Sequence, residues 1–257
     1  MSTVERLPGS RYATRFVVWS RAWRAGFVPF DDMAPNITGV EDHLVKGLLG
    51  GERQLSLPQA LAAFSALGPD DIRLVLPAPG DPRGLPGPGS FTSAALAAGE
   101  GVIAGKTGLV PTIQSHVSGS GDSWRSVYWQ AFDVTPFTGE TIALSEAEAD
   151  LSRELTRAAE TLISLDIARW QPELAKALTR LRSPETSDTD LPAGFTPRAR
   201  RVYARACLVN QVLALADHAA PGGAVNAFEA RRRAEALSPL RAACRRAVMA
   251  VCHTPLG

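Results

Sequence analysis

The spacing of hydrophobic positions changes character along this chain, and the changes outline its parts. In TRFVVWSRAWRAG (14–26) the aromatics Phe16, Trp19 and Trp23, with Phe27 beyond, recur every three or four residues. That spacing predicts a helix whose aromatic stripe packs on the domain while its arginines stay in solvent, with Gly26 as its stop. Two capping signatures follow, Thr38-x-x-Glu41 ahead of EDHLVKGLL and Ser56-x-x-Gln59 ahead of PQALAAFSAL, the second with Pro58 in its first turn. Both predict short helices.

Between residues 70 and 135 the pattern is that of strands. IRLVLPA (72–78) predicts a strand, GVIAG and LVPTIQSHV (109–117) continue the series, and the alternation in SVYWQAFDV (126–134) suits a half-buried strand. One helix interrupts them, capped by Ser90 or Thr92 and running to about Ala98. This stretch therefore holds three or four strands and one helix.

From Ser145 the period returns to that of helices. A Ser145-x-x-Glu148 box precedes Leu151, Leu155, Ala158, Leu162 and Leu165 at four- and three-residue steps. Pro172 opens a segment with Leu174, Leu178 and Leu181 on one face, and a polar linker SPETSDTDLPAGF (183–195) comes next. Thr196-Pro197 starts a helix carrying Val202, Ala206, Val209, Leu213 and Ala216, which Pro221-Gly222-Gly223 breaks. An Asn226-x-x-Glu229 box starts another, which Ser238-Pro239 either kinks or divides. The fold class is α+β: a small mixed sheet with flanking helices in residues 1–140, then an antiparallel helical bundle in 145–257, the two packed as one compact unit.

Composition narrows the function. A net charge of +1 gives no overall electrostatic case for nucleic acid or an anionic membrane. Of the 27 basic residues only Lys46, Lys106 and Lys176 are lysine, a bias of GC-rich coding that lowers the weight of any single arginine cluster. Nucleic-acid binding through the arginines of the first 24 residues ranks lowest, because Phe16, Trp19 and Trp23 serve better as core than as a stacking platform. Three cysteines, Cys207, Cys244 and Cys252, are an odd count without a disulfide framework, which favours a reducing cytoplasm. No apolar run approaches the roughly 20 residues of a membrane span.

Each chemical motif has a plainer reading. Gly105-Lys106-Thr107 resembles the end of a phosphate loop, but its glycine spacing and its order between helix and strand are wrong, so a hairpin turn is expected. No cysteine or histidine pair has metal-ligand spacing, and neither a metal nor a cofactor is expected. Ser118-Gly119-Ser120-Gly121 is not a nucleophile elbow; His116 and Asp122 around Ser120 read as a glycine-rich hairpin loop. No catalytic residue is assigned. The run Arg231, Arg232 and Arg233 is a candidate partner-binding patch.

One segment resists both helix and strand. In PAPGDPRGLPGPG (77–89) nine of thirteen residues are proline or glycine. Asp81, Arg83, Gly87, Gly89 and Ser90, with Asp122 from the next glycine-rich loop, form a candidate site for an anionic small molecule at a helix N-terminus. The alternative is a rigid strap pinned by Leu85 and Phe91, with Gly84, Gly87 and Gly89 at positions that reject β-branched residues. The two loops share one end of the sheet if GVIAG is only a connection, and lie at opposite ends if it is a strand parallel to the first. The failure of every catalytic motif favours a non-catalytic cytoplasmic binding or assembly protein with a protein partner. An enzyme or sensor for an anionic small molecule is the alternative.

Overall fold

A computed structural model of the chain describes residues 12–48, 51, 53–119, 121–135, 141–164, 191–218 and 227–257, with backbone alone at 162–164, 215–218 and 227–234. Among the described residues, seven helices and one six-stranded mixed sheet make it an α+β protein. The described residues fall into two compact units. Residues 12–135, 191–195 and 255–257 form a sheet unit, and 141–164, 196–218 and 227–254 form a helical unit.

Helix α1 (Tyr12–Arg24) buries more than its aromatic stripe. Ala13, Phe16, Val17, Val18 and Ala22 are all buried, while Trp19 and Trp23 are half-buried. The expectation of solvated arginines fails at Arg21, which is 1% exposed. Its Nε donates to the Pro69 carbonyl at 2.8 Å and its Nη2 to Asp70 Oδ1 at 2.7 Å, so the charge enters the core already matched. Arg24 Nε donates to the Leu67 carbonyl in the same manner. At the other end, the Ala13 N–H donates to Glu100 Oε2 at 2.8 Å, placing a carboxylate at the positive end of the helix.

Helix α2 (Phe30–Thr38), with Pro35 inside it, is not expected from the sequence. Met33, Ala34 and Ile37 nevertheless bury one face, with Asp31 and Asp32 in the first turn. The next segment corrects the expectation of a helix over EDHLVKGLL: it is strand β1 (Asp42–Lys46). The Thr38 hydroxyl bonds back to the Ala34 carbonyl instead of capping a new helix, and alternate residues His43 and Val45 point into the core. Strand β2 (Leu55–Ser56) leads into α3 (Leu57–Ala63), where the Ser56 N–H donates to Gln59 Oε1 at 3.0 Å, as the box predicts.

A short 3-10 turn (Pro69–Asp71) feeds β3 (Ile72–Val75), followed by α4 (Ser90–Ala98), β4 (Gly101–Ala104), β5 (Thr107–Val117) and β6 (Ser123–Asp133). The strand order is β2-β1-β6-β5-β4-β3, and only the β1–β6 pair is parallel. GVIA is thus a strand, but antiparallel to β3 as well as to β5, an arrangement neither topological expectation contained. Strand parity sends His43, Val45, Val127 and Trp129 to the face where the Phe16 ring meets Trp129 at 5.2 Å. The opposite face carries Val75, Ile103 and Val110 under Phe91 and Ala95 of α4. Gly108 sits beneath this helix, where a Cβ would meet the Phe91 ring at 2.4 Å.

The proline-glycine segment is a strap built from two turns. Ala78 and Asp81 exchange both backbone hydrogen bonds around Pro79-Gly80, and Gly80 at φ 78° gives type II geometry. The Leu85 N–H then donates to the Pro82 carbonyl around Arg83-Gly84, with Gly84 at φ 84°. Leu85 packs against the cluster of Val75, Phe91, Ala95, Ile103 and Val110.

In the helical unit, α5 (Leu144–Ser164), α6 (Pro197–His218) and α7 (Ala227–His253) place α7 against both other helices. Leu151, Leu155 and Ala158 of α5 and Val202, Ala206, Val209 and Leu213 of α6 are buried, as their spacing predicts, and Ala147 is buried with them. Thr196 Oγ1 accepts the Ala199 N–H with Pro197 next to it, a capped start. Helix α7 runs unbroken past Pro239. The acids of α5 are stitched to arginines: Glu148 to Arg198 of α6, and Asp150 to Arg246 of α7 and to Arg153. The end of the expected linker is no loose chain, since Leu191 and Phe195 are buried in the sheet unit. Leu165, Pro172, Leu174, Leu178, Leu181, Pro221–Gly223 and Asn226 lie outside the described residues.

Two consequences are measurable. Leu85→Ala is expected to lose about 2 kcal/mol in urea unfolding, the low end for a partly buried leucine, whereas Asp81→Ala and Arg83→Ala stay within about 0.5 kcal/mol. Equal losses in all three would contradict the strap. For Asp150, partial burial works to raise its pKa, but the hydrogen bonds from Arg153 and Arg246 outweigh it and hold the carboxyl below its usual range. A depressed folded pKa contributes stability above the unfolded value and loses it as pH falls through the folded one. Asp150→Asn should therefore be less stable than wild type at pH 7, and the difference should shrink as pH falls below the ordinary aspartate value of 3.8.

Candidate functional site

The loop residues singled out from the sequence fall in two places, Asp81 to Ser90 in the strap and Asp122 in the loop between β5 and β6. Arg83 is already engaged, its Nε lying 2.7 Å from Asp81 Oδ1 where the two turns of the strap meet. Gly87 and Gly89 are exposed at φ 120° and φ 161°; the second is ordinary extended backbone, so Gly89 leaves the set of positions that demand glycine. Gly89 is itself the N-cap of α4, which corrects the capping expected of Ser90 or Thr92. The Thr92 hydroxyl bonds to the Gly87 carbonyl and the Ser93 hydroxyl to the Gly89 carbonyl.

Asp122 belongs to a different place. Because β3 and β5 are each antiparallel to β4, the two glycine-rich loops do lie at the same end of the sheet. They are staggered, however. Strand β5 continues seven residues past the level where Val75 and Gly101 pair, about 24 Å at 3.4 Å per residue. At the tip, the Ser118 N–H donates to the Asp122 carbonyl at 2.8 Å and Ser118 Oγ accepts the Asp122 N–H. His116 stacks on Trp124 at 5.1 Å, and Ser120 lies outside the described residues.

This stagger creates the most exposed apolar element of the sheet unit. Beyond Leu109 no strand among the described residues pairs with the outer edge of β5, while β6 pairs with it as far as Val117↔Ser123. The resulting two-stranded arm carries Ile113, Val117 and Trp124 at 49%, 72% and 48% exposure. Its free edge, Thr112 to Val117, contains no charge and no proline, the usual devices that blunt an edge strand.

Beneath the arm lies a buried polar cluster that no sequence motif announced, because its members come from positions 12, 41, 43, 125 and 129. The Tyr12 hydroxyl donates to Glu41 Oε1 at 3.1 Å, and Arg125 Nε reaches the same oxygen at 3.3 Å. Glu41 Oε2 stands 3.8 Å from His43 Nε2, and Trp129 Nε1–H donates to His43 Nδ1 at 3.2 Å. A histidine that accepts at Nδ1 is the neutral tautomer protonated at Nε2, facing the carboxylate. The cluster ties α1, the α2–β1 connection, β1 and β6 together through side-chain hydrogen bonds and ion pairs.

Elsewhere, the three cysteines are free thiols. Burial, reinforced by Cys207 nearby, pushes the Cys244 thiol up to about 12, which removes it as a nucleophile near neutral pH. Among the described residues no group of three or more His, Cys, Asp or Glu side chains is arranged to hold a metal ion, and no helix is long and apolar enough to cross a membrane. Arg231, Arg232 and Arg233 lie on α7, their side chains outside the described set.

Two family profiles cover most of the chain: the N-terminal domain of Rv1486c-like protein matches residues 13–143, and its C-terminal domain matches residues 145–249. The chain belongs to the Rv1486c-like family. It is 28% identical over 287 aligned residues to Uncharacterized protein Rv1486c of Mycobacterium tuberculosis strain H37Rv, covering 92% of this chain and 96% of the relative. Uncharacterized protein MT1533 of strain CDC 1551 matches with the same identity and coverage. No solved structure matches the chain.

If the polar cluster is a buried brace, Glu41→Ala should cost about 2 kcal/mol, since Tyr12 and Arg125 lose one shared acceptor. The half-exposed Arg125→Ala should cost less than about 1 kcal/mol. Urea unfolding that ranks Arg125 above Glu41 would reverse this reading.

Proposed function

We propose that this member of the Rv1486c-like family is a non-catalytic binding or assembly protein of the cytoplasm, with the β5–β6 arm as its docking element. One observation carries the reading: a pre-formed sheet edge without Asp, Glu, Lys or Arg projects from the rest of the sheet, with Ile113 and Val117 exposed on one face of the arm and Trp124 on the other. Exposed apolar side chains gathered on one element mark interaction sites. Three free thiols favour a reducing compartment. The arginine run 231–233 is a second proposed contact on α7.

The alternative, an enzyme or sensor for an anionic small molecule at the strap, has less support. Its guanidinium is neutralised by Asp81, and Asp122 sits at the far end of the arm.

Complementation of a deletion phenotype, read beside melting temperatures, separates the two. The double variant Ile113→Lys/Trp124→Lys is expected to melt within a few degrees of wild type and to fail in the cell, while Asp81→Ala and Arg83→Ala succeed. Full complementation by the arm variant, with failure of Arg83→Ala at an unchanged melting temperature, would overturn the proposal in favour of a ligand site.

A further inference from the structure

We infer that the occupant of the free β5 edge is a second copy of the same chain, paired antiparallel across a two-fold axis normal to the sheet, with Ile113 of each protomer opposite Val117 of the other. This rests on the reading of the arm as the docking element.

Four features select the partner and the register. An edge can meet its own copy only if it does not repel itself, and Thr112–Val117 carries no Asp, Glu, Lys or Arg. Both strands are already extended and held by β6, so pairing orders no chain, an advantage over capturing a disordered peptide. A two-fold axis normal to the sheet keeps each face on its own side, so opposed residues must both be odd-numbered or both even-numbered. Pro111 has no N–H to give to a ladder, which restricts pairing to the strand beyond it.

Among the registers that remain, one places Ser115 opposite itself. It aligns Ile113 with Val117 twice and Gln114 with His116 twice. The exposed apolar pairs then meet on one face as cross-strand neighbours. A register shifted by two in either direction leaves Ile113 or Val117 opposite serine, proline or glycine.

The contact is a single short ladder, so a weak dimer is expected, with a dissociation constant in the micromolar range. Two measurements test it. Light scattering behind size exclusion, from about 1 to 500 µM, should show wild type passing from monomer to dimer and Ile113→Lys remaining a monomer. In a Cys207→Ser background, Ser115→Cys should form an intermolecular disulfide on mild oxidation, and Gln114→Cys should not. Three results would overturn the inference: wild type that stays monomeric throughout, a dimer indifferent to Ile113→Lys, or cross-linking through Gln114 in place of Ser115. A monomeric wild type whose arm variant still fails in the cell would remove this inference alone, leaving a different chain as the arm's partner. Normal complementation by the arm variant would remove the docking reading itself.

Discussion

Eleven consecutive residue pairs between β5 and β6, from Thr107↔Asp133 to Val117↔Ser123, are the constraint on which the sheet unit depends. Each neighbour uses only part of that length. Strand β4 takes the base of β5 at Thr107–Leu109, and β1 takes Ser126–Gln130 of β6. Among the described residues the remainder has no strand on its outer sides, and so an arm exists at all. The same register decides the two faces: Trp129 and Val127 turn toward α1, while Val110 and Phe132 turn toward α4.

Arginine contributes to this architecture from within. Arg21 and Arg24 hold backbone carbonyls of the chain leading into β3, and Arg125 reaches the buried Glu41. In the helical unit Arg198 and Arg246 bind acids of α5 from two different helices. A guanidinium presents several donors in a rigid fork, so it can satisfy a carbonyl and a carboxylate at once, as Arg21 does. The composition that argued against a charged interface therefore reflects internal matching as well as surface.

What could be read in advance follows from how local each cause is. The strands over 72–134 and the buried stripes of α5 and α6 are written in their own periodicity. Leu85 and Phe91 were legible as anchors because they are the large apolar residues flanking a segment of turns. The segment EDHLVKGLL misled because a capping box precedes it, and its true partner, Ser126–Gln130, lies more than eighty residues away. Arg21 misled for the same reason, since it binds a backbone carbonyl 48 residues on. The polar cluster of Tyr12, Glu41, His43, Arg125 and Trp129 has no spacing to detect, and the arm's exposure is a property of register rather than of any one strand.

The central claim is that the arm is a formed, rigid ladder with one edge uncovered. Residue-resolved amide exchange across Thr112–Val117 at low protein concentration addresses it directly. Alternate amides, those bonded to β6, should be protected, and the intervening ones should exchange as fast as open loop amides. Uniform protection would mean that another element covers the edge, and uniform fast exchange would mean that the arm is not formed; either result contradicts the account.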